Sequence, residues 1–329
     1  MHQGNTMEDI RPTTTTISST ASNPKPPPPQ TNPSALQKIR YLIVALLSKS
    51  LRKSDRTLIR LANLLSTPTG IDALLCTISY TLTLVHTLLS RILERRLADI
   101  VEKVDAILLP GQTLIASLPA PASTKLIAHV VGSSKALAAT ISDYRIFVRL
   151  WGLVGLYTWA RATYFTPVPA SATREGRIQR GLTWAAIASC VSFQVLENGA
   201  YLSSKGALTT SSWMGDVGKA RVNNWWLWSS RFWAVYVGCE LARLGVTQHY
   251  HNRRTKVAVD DGEKEAKLRR EEEKLQDWLW WKDLISNIAY APLTLHWSVN
   301  GGLLSDWGVG ACGTVAGGAL LVDAWRKTN

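Results

Sequence analysis

Cysteine is scarce, and its placement excludes two kinds of site. Cys76, Cys190, Cys239 and Cys312 are the only four in 329 residues, far apart and each in an apolar run. Without a CxxC pair or a Cys/His ligand spacing, neither a disulfide framework nor a zinc site is expected, and the four read as small buried hydrophobes in a reducing compartment. His249 and His251 have no third ligand nearby in sequence, so no metal and no cofactor is expected. Catalytic signatures are missing too. There is no GxSxG, no Walker loop, no HExxH and no paired-carboxylate constellation. Asp283 and His296 could be placed near each other in an enzyme, but Asp283 equally suits a cap of the C-terminal helical region and His296-Trp297 a headgroup boundary, so a catalytic role is not expected. Neither a Gly-rich phosphate loop nor an aromatic-on-strand motif is present, which argues against nucleic acid. The N-terminus has neither the basic-then-apolar layout of a secretory signal nor an Arg-rich presequence, and the final Arg326–Asn329 is not a small–basic–Leu address.

What is present points to a polyanionic surface. The net charge is +13 and the pI about 9.7, an excess that suits phospholipid headgroups. Tryptophan outnumbers phenylalanine, 14 to 4. Its ring prefers an apolar bed with the N–H kept wet, which a membrane interface supplies. Trp151, Trp159, Trp225, Trp226, Trp228 and Trp233 all sit in or beside apolar stretches that carry arginine.

Along the chain, residues 1–33 form a Thr/Pro-rich tail with no apolar periodicity, expected to be disordered. Residues 34–165 read as amphipathic helices. Leu36, Ile39, Ile43 and Leu46 share one face, opposite Lys38, Arg40, Lys49 and Arg52. Ser54-Asp55 is expected to cap a second short helix, and Ser66-Thr67-Pro68 to start a third. Residues 77–84 alternate as a strand would, but the apolar pattern runs unbroken from Leu74 to Leu93, beyond strand length, and predicts a helix. That helix suits either a bilayer span or a packed bundle. A Pro/Gly break is expected over 108–121, then an apolar helix over Ser123–Ile141. The next stretch, Asp143–Arg161 (DYRIFVRLWGLVGLYTWAR), places Arg145, Arg149 and Gly152 on one stripe of a helix and apolar side chains on the rest. It suits a helix lying in the headgroup layer, or a bundle helix whose arginines snorkel to water.

Residues 166–252 hold further apolar helices. Leu182–Leu202 is about the roughly 20 residues that a span needs, and Trp225–Val246 is a second such stretch interrupted by Arg231, Glu240 and Arg243. Residues 253–282 read as a charged loop or helix, and 283–329 as a C-terminal membrane segment. In the latter, Gly313 and Gly317 form a small-xxx-small pair suited to close helix approach, and Trp325-Arg326-Lys327 makes an interfacial stop. The fold class expected is therefore all-α: a membrane-associated helical bundle with amphipathic N-terminal helices and C-terminal membrane-spanning helices.

Three stretches resemble the peroxisomal biogenesis factor 11 (peroxin 11) family, most closely its fungal C-type branch. Asp55–Asp72 (DRTLIRLANLLSTPTGID) is similar to the family's N-terminal helix and its "LLSTPSGTD"-like turn. Tyr144–Leu153 (YRIFVRLWGL) resembles its arginine-bearing amphipathic helix. Trp281–Ser298 (WKDLISNIAYAPLTLHWS), followed by Gly301-Gly302-Leu303 and Val322–Arg326, resembles its C-terminal segment, with Pro292, His296, Trp297 and Trp325 in order. The resemblance covers about residues 54–326.

It implies a protein of the peroxisomal membrane that elongates and tubulates that membrane before fission. It implies that Arg145 and Arg149 contact anionic phospholipid headgroups while Phe147, Leu150 and Trp151 form the wedge. Self-association, to which the face of Gly313 and Gly317 would contribute, is expected to concentrate copies. Partners implied are the protein itself, other family members, a tail-anchored fission adaptor and a dynamin-like GTPase. The alternative is a channel or carrier for small metabolites, with Glu197, Arg231 and Glu240 as pathway residues. A membrane-bound lipid enzyme is a third reading and lacks a nucleophile–base pair.

Overall fold

The turn at Ser66-Thr67-Pro68 makes the first corner of the computed structural model. Ser66 Oγ donates to the Asn63 carbonyl (2.7 Å), Thr67 Oγ1 accepts from the Gly70 N–H (3.1 Å), and Pro68 occupies the first helical turn, where its missing N–H costs nothing. The structure describes residues 35–105, 121–166, 173–254 and 263–328. Within them lie α1 (Ala35–Leu65), α2 (Pro68–Asp105), α3 (Ala122–Arg149), α4 (Gly152–Phe165), α5 (Arg174–Ser204), α6 (Gly215–Arg254), α7 (Glu263–Trp297) and α8 (Asp306–Arg326). No strand occurs among the described residues. The 1–33 tail, most of the 108–121 break and residues 255–262 of the charged segment lie outside them.

The chain divides into two units, Met1–Asp55 and Arg56–Asn329. The described part of the first is the leading portion of α1, on which Tyr41, Val44 and Leu51 are exposed. The second holds everything that follows.

Two helix boundaries differ from expectation. Ser54-Asp55 does not start a helix, because α1 runs through it. No Gly or Pro interrupts this region, and Ser and Asp inside a helix cost only tenths of a kcal/mol, up to about 0.7 each. Conversely, Asp143–Arg161 is not one helix. The α-helical bonds give way to i→i−3 bonds, Leu150 N–H to Phe147 and Trp151 N–H to Val148, and α4 begins afresh at Gly152. The Leu150 carbonyl takes a side-chain donor, Asn198 Nδ2, at 3.2 Å. The strand-like 77–84 segment is helical, inside α2.

In the second unit six helices follow one another around a closed circuit. α3 packs on α2, α2 on α8, α8 on α7, α7 on α6 and α6 on α5, and a short contact of α5 with α3 completes it. The α2–α8 seam is close-packed, and three glycines make it so. A Cβ at Gly310 would come within 2.8 Å of the Leu84 backbone, one at Gly313 would overlap the Tyr80 ring, and one at Gly317 would lie 2.9 Å from the Thr77 nitrogen. The pairing 84 with 310 and 77 with 317 shows that the two helices run antiparallel. These are also the two helices, among the described residues, long and apolar enough to cross a membrane.

Burial is divided unusually. Fully buried positions are mostly small or polar, such as Ala73, Ala186, Ala316, Ser79, Ser229 and Ser286. Large apolar side chains instead form exposed stripes: Trp184, Val191 and Val195 along α5, and Trp281, Ile285, Ile288 and Leu295 along α7. Small residues inside let helix backbones approach, and the large apolar residues are left on the outer faces.

Candidate functional site: a polar cavity inside the helix ring

The circuit surrounds a cavity of about 780 Å³, to which all six helices contribute lining. That is within the size range of small-molecule sites, about 300–1,000 Å³. α6 and α7 build its long wall. They run antiparallel, as three cross-contacts show: Asn223 Nδ2 to Asn300 Oδ1 at 3.3 Å, Trp233 against Tyr290 with ring centroids 5.5 Å apart, and Trp280 Nε1 to the Leu244 carbonyl at 3.1 Å. The spacing 226, 229/230, 233, 237, 240 keeps one face of α6 on the cavity, and 283, 286/287, 290 and 297 one face of α7.

This register sorts the wall by chemistry. Glu240 and Asp283 stand at one end, Trp233, Tyr290, Trp297 and Phe193 in the middle, and Asn223 and Asn300 at the other end. The aromatic middle is continuous. Trp297 stacks on Trp233 (5.7 Å, 15° between planes), and Phe193 approaches Trp233 at 6.1 Å.

The opposite wall is closed by ion pairs. Arg149 makes a forked pair with Glu197, Nε to Oε2 at 2.9 Å and Nη2 to Oε1 at 2.8 Å. The Glu197 side chain is only 6% exposed. Arg145 makes a second fork to Asp72, Nε to Oδ1 at 2.7 Å and Nη2 to Oδ2 at 3.3 Å. Burial is the largest influence on Arg145 and works against its charge, but the hydrogen bond and charge of Asp72, together with Cys76 and Tyr80, outweigh it and hold the guanidinium above its already high value. Both forks come from the stripe that the sequence places on one helix face. Near Arg149, Gly152 lets Gln194 lie against the start of α4, Gln194 Nε2 donates to Asn198 Oδ1 (2.6 Å), and Lys205 pairs with Asp143 at 2.6 Å. That bond raises the Lys205 ammonium above its ordinary value.

The sequence-derived residues therefore fall into separate places. Phe147 and Trp151 are exposed, as contact with a membrane would require, while Leu150 is half-buried at the helix break. Arg145 and Arg149, expected on headgroups, are turned inward onto Asp72 and Glu197. Gly313 and Gly317, expected between copies, are covered by α2 of the same chain. Pro292 lies within α7. His296 Nδ1 accepts the backbone N–H groups of Leu303 and Leu304, both at 2.8 Å, which assigns its proton to Nε2. It thereby fixes the turn in which Gly302 has φ +70°. Trp297 belongs to the aromatic wall. Trp325 lies under the Arg60 guanidinium (4.5 Å) and its carbonyl accepts from Arg60 Nη2 (2.8 Å).

Of the pathway candidates, Glu197 and Glu240 line the cavity, and Glu240 pairs with Arg243 at 2.8 Å. Arg231 is outside the lining, donating to the Ser298 carbonyl (3.1 Å) over the Trp228 ring (4.7 Å). No His/Cys/Asp/Glu group able to hold a metal occurs among the described residues.

The sequence reading missed Asp72 as the partner of Arg145, and it placed neither Asp283 nor Trp233, Tyr290 and Trp297 on a common wall. Glu197 and Glu240, carboxylates in apolar runs, were the signals that interior cations existed. Comparison of the chain with protein-family profiles, with curated proteins and with solved structures finds no match.

Proposed function

We propose that this protein remodels and elongates the peroxisomal membrane in preparation for fission, acting through shallow insertion of an aromatic helix and association of copies. The observation that carries this reading is α4. It has no buried residue, and Trp151, Val154, Tyr157, Tyr164 and Phe165 are each 64–71% exposed. With Phe147 one turn earlier they form a lengthwise aromatic face, which is unfavourable against water and well matched to the boundary between headgroup and acyl chain. Each such side chain contributes roughly 1.5–3 kcal/mol on full burial.

The cations that meet anionic headgroups are then not Arg145 and Arg149. Arg161 lies exposed over Phe165 (5.0 Å), and Arg174 and Arg177 are exposed just beyond; basic residues so placed add about 1 kcal/mol each near anionic lipid. α2 and α8 serve as an antiparallel pair of spans, and the outer stripes of α5 and α7 face lipid. The peroxisomal address rests on the family resemblance of the three sequence stretches. Self-association and the fission partners rest there too.

The experiment is a vesicle assay with the full chain. Reconstituted into anionic liposomes, the wild type tubulates them, and added salt weakens the effect by screening. Replacing Trp151, Tyr157 and Phe165 by serine abolishes tubulation while leaving helix content unchanged; tubulation at the wild-type level would refute the wedge.

The cavity favours a second reading, a conduit or carrier for small metabolites. Its signature is conductance in planar bilayers that disappears in Glu197→Leu.

A further inference from the structure

The cavity has a chemistry of its own, independent of the remodelling reading. Its lining arginines, Arg145 and Arg149, are each fully engaged by a forked carboxylate, and no lysine lines it. An anion entering it would find no free cation and would meet Glu240 and Asp283. The cations that pair with those two carboxylates, Arg243 and Lys282, stand outside the lining. A wholly apolar guest is also unsuited: each carboxylate meets its cation through one oxygen, and the second would lose water without gaining a partner, at a cost of about 1–3 kcal/mol for an unpaired buried polar group.

A cation with an organic body satisfies both halves of the wall. Two carboxylates from adjacent antiparallel helices supply the counter-charge. About two turns away along the same faces, Trp233 and Tyr290, with Trp297 stacked on Trp233, supply the aromatic faces that attract ammonium groups and cover their methylenes. The geometry points to this acidic–aromatic half of the cavity as a binding site for an organic ammonium group. The group belongs either to a free amine or to the amine headgroup of a phospholipid.

The test uses the full-length protein in uncharged maltoside micelles, titrated with spermidine, choline, dihexanoyl phosphatidylethanolamine and inorganic phosphate while tryptophan fluorescence is followed. At least one ammonium probe gives a saturable change, and phosphate gives none. Saturation by spermidine or choline alone identifies a free amine; saturation by the short-chain lipid alone identifies a headgroup. Glu240→Gln with Asp283→Asn weakens the binding at least tenfold. Should that double variant lose helix content, Asp283→Asn alone, at a half-exposed side chain, is expected to weaken it at least threefold. No saturable ammonium binding by the wild type, unchanged affinity in a folded variant, or equal competition by phosphate overturns the assignment. The same carboxylate variants still tubulate vesicles, so failure of the ammonium site and failure of the α4 wedge give different results.

Discussion

Arg149 and Glu197 show what one pair does in this ring. Glu197 is almost wholly buried, so deleting Arg149 leaves a carboxylate without its counter-charge. Breaking a buried pair costs about 3–5 kcal/mol; with Arg149 one-third exposed, about 2–3 kcal/mol is expected for Arg149→Ala. Thermal unfolding in micelles reads that loss. Arg149→Lys keeps the charge but loses the fork and recovers part of it, and the swap Arg149→Glu with Glu197→Arg recovers more than either single change. The arginine stripe was legible in the sequence because Arg145 and Arg149 are four apart on a helix. Their destination was not, because Asp72 lies 73 positions and Glu197 48 positions away, and nothing local distinguishes an arginine aimed at a phosphate from one aimed at a distant carboxylate. The inward pairing follows from which side of α3 the neighbouring helices occupy.

Among the elements, α2 and α8 were the most legible. An unbroken apolar run and a Thr-Pro start announce α2, and the small-xxx-small pair with its Trp-Arg-Lys stop announces α8; the start of α8, where Ser305 Oγ accepts the Gly308 N–H at 3.4 Å, was not legible, because 283–329 reads as one segment. The partner of the glycine face was not legible, since small-xxx-small spacing says that a helix comes close and not whose helix it is. Thr81 and Thr314 hydroxyls lie 3.5 Å apart across this seam. Cysteines placed at both positions are expected to crosslink within one chain, shown by faster migration without a dimer band. Gly313→Leu should remove that crosslink, because the side chain meets the Tyr80 ring; a crosslink kept in Gly313→Leu would show that the helices do not meet at Tyr80, and one formed mainly between copies would show that the seam is not intramolecular. The break between α3 and α4 was hidden for a different reason. Leu150 and Trp151 are ordinary helix residues, and the helix opens where Asn198, from α5, accommodates the carbonyl that it frees.

The described residues of the second unit join an interior of small and charged residues to an exterior with large apolar stripes, and the six ring helices follow one another in chain order, so that the last closes on the first. α2 is made early, yet the surface that covers its Tyr80 and Thr77 arrives with α8, and Thr81 meets a residue 233 positions later. At roughly 5–20 residues per second of synthesis, the first apolar helix waits on the order of 10–50 s for its partner. During that time Thr77, Tyr80 and Thr81 lack the α8 surface that covers them, although α3 already meets Ser79 and His86. The last helix is thus the clasp of the circuit, closing it onto α2. A chain ending at Leu304 is expected to be captured by chaperones and degraded in cells, with a half-life several-fold shorter than the full protein in a pulse-chase. Co-expression of 305–329 as a separate peptide would restore part of it. Under the proposed membrane reading, insertion after release from the ribosome suits such a chain better than insertion one helix at a time, since the two halves of the α2–α8 seam then become available together.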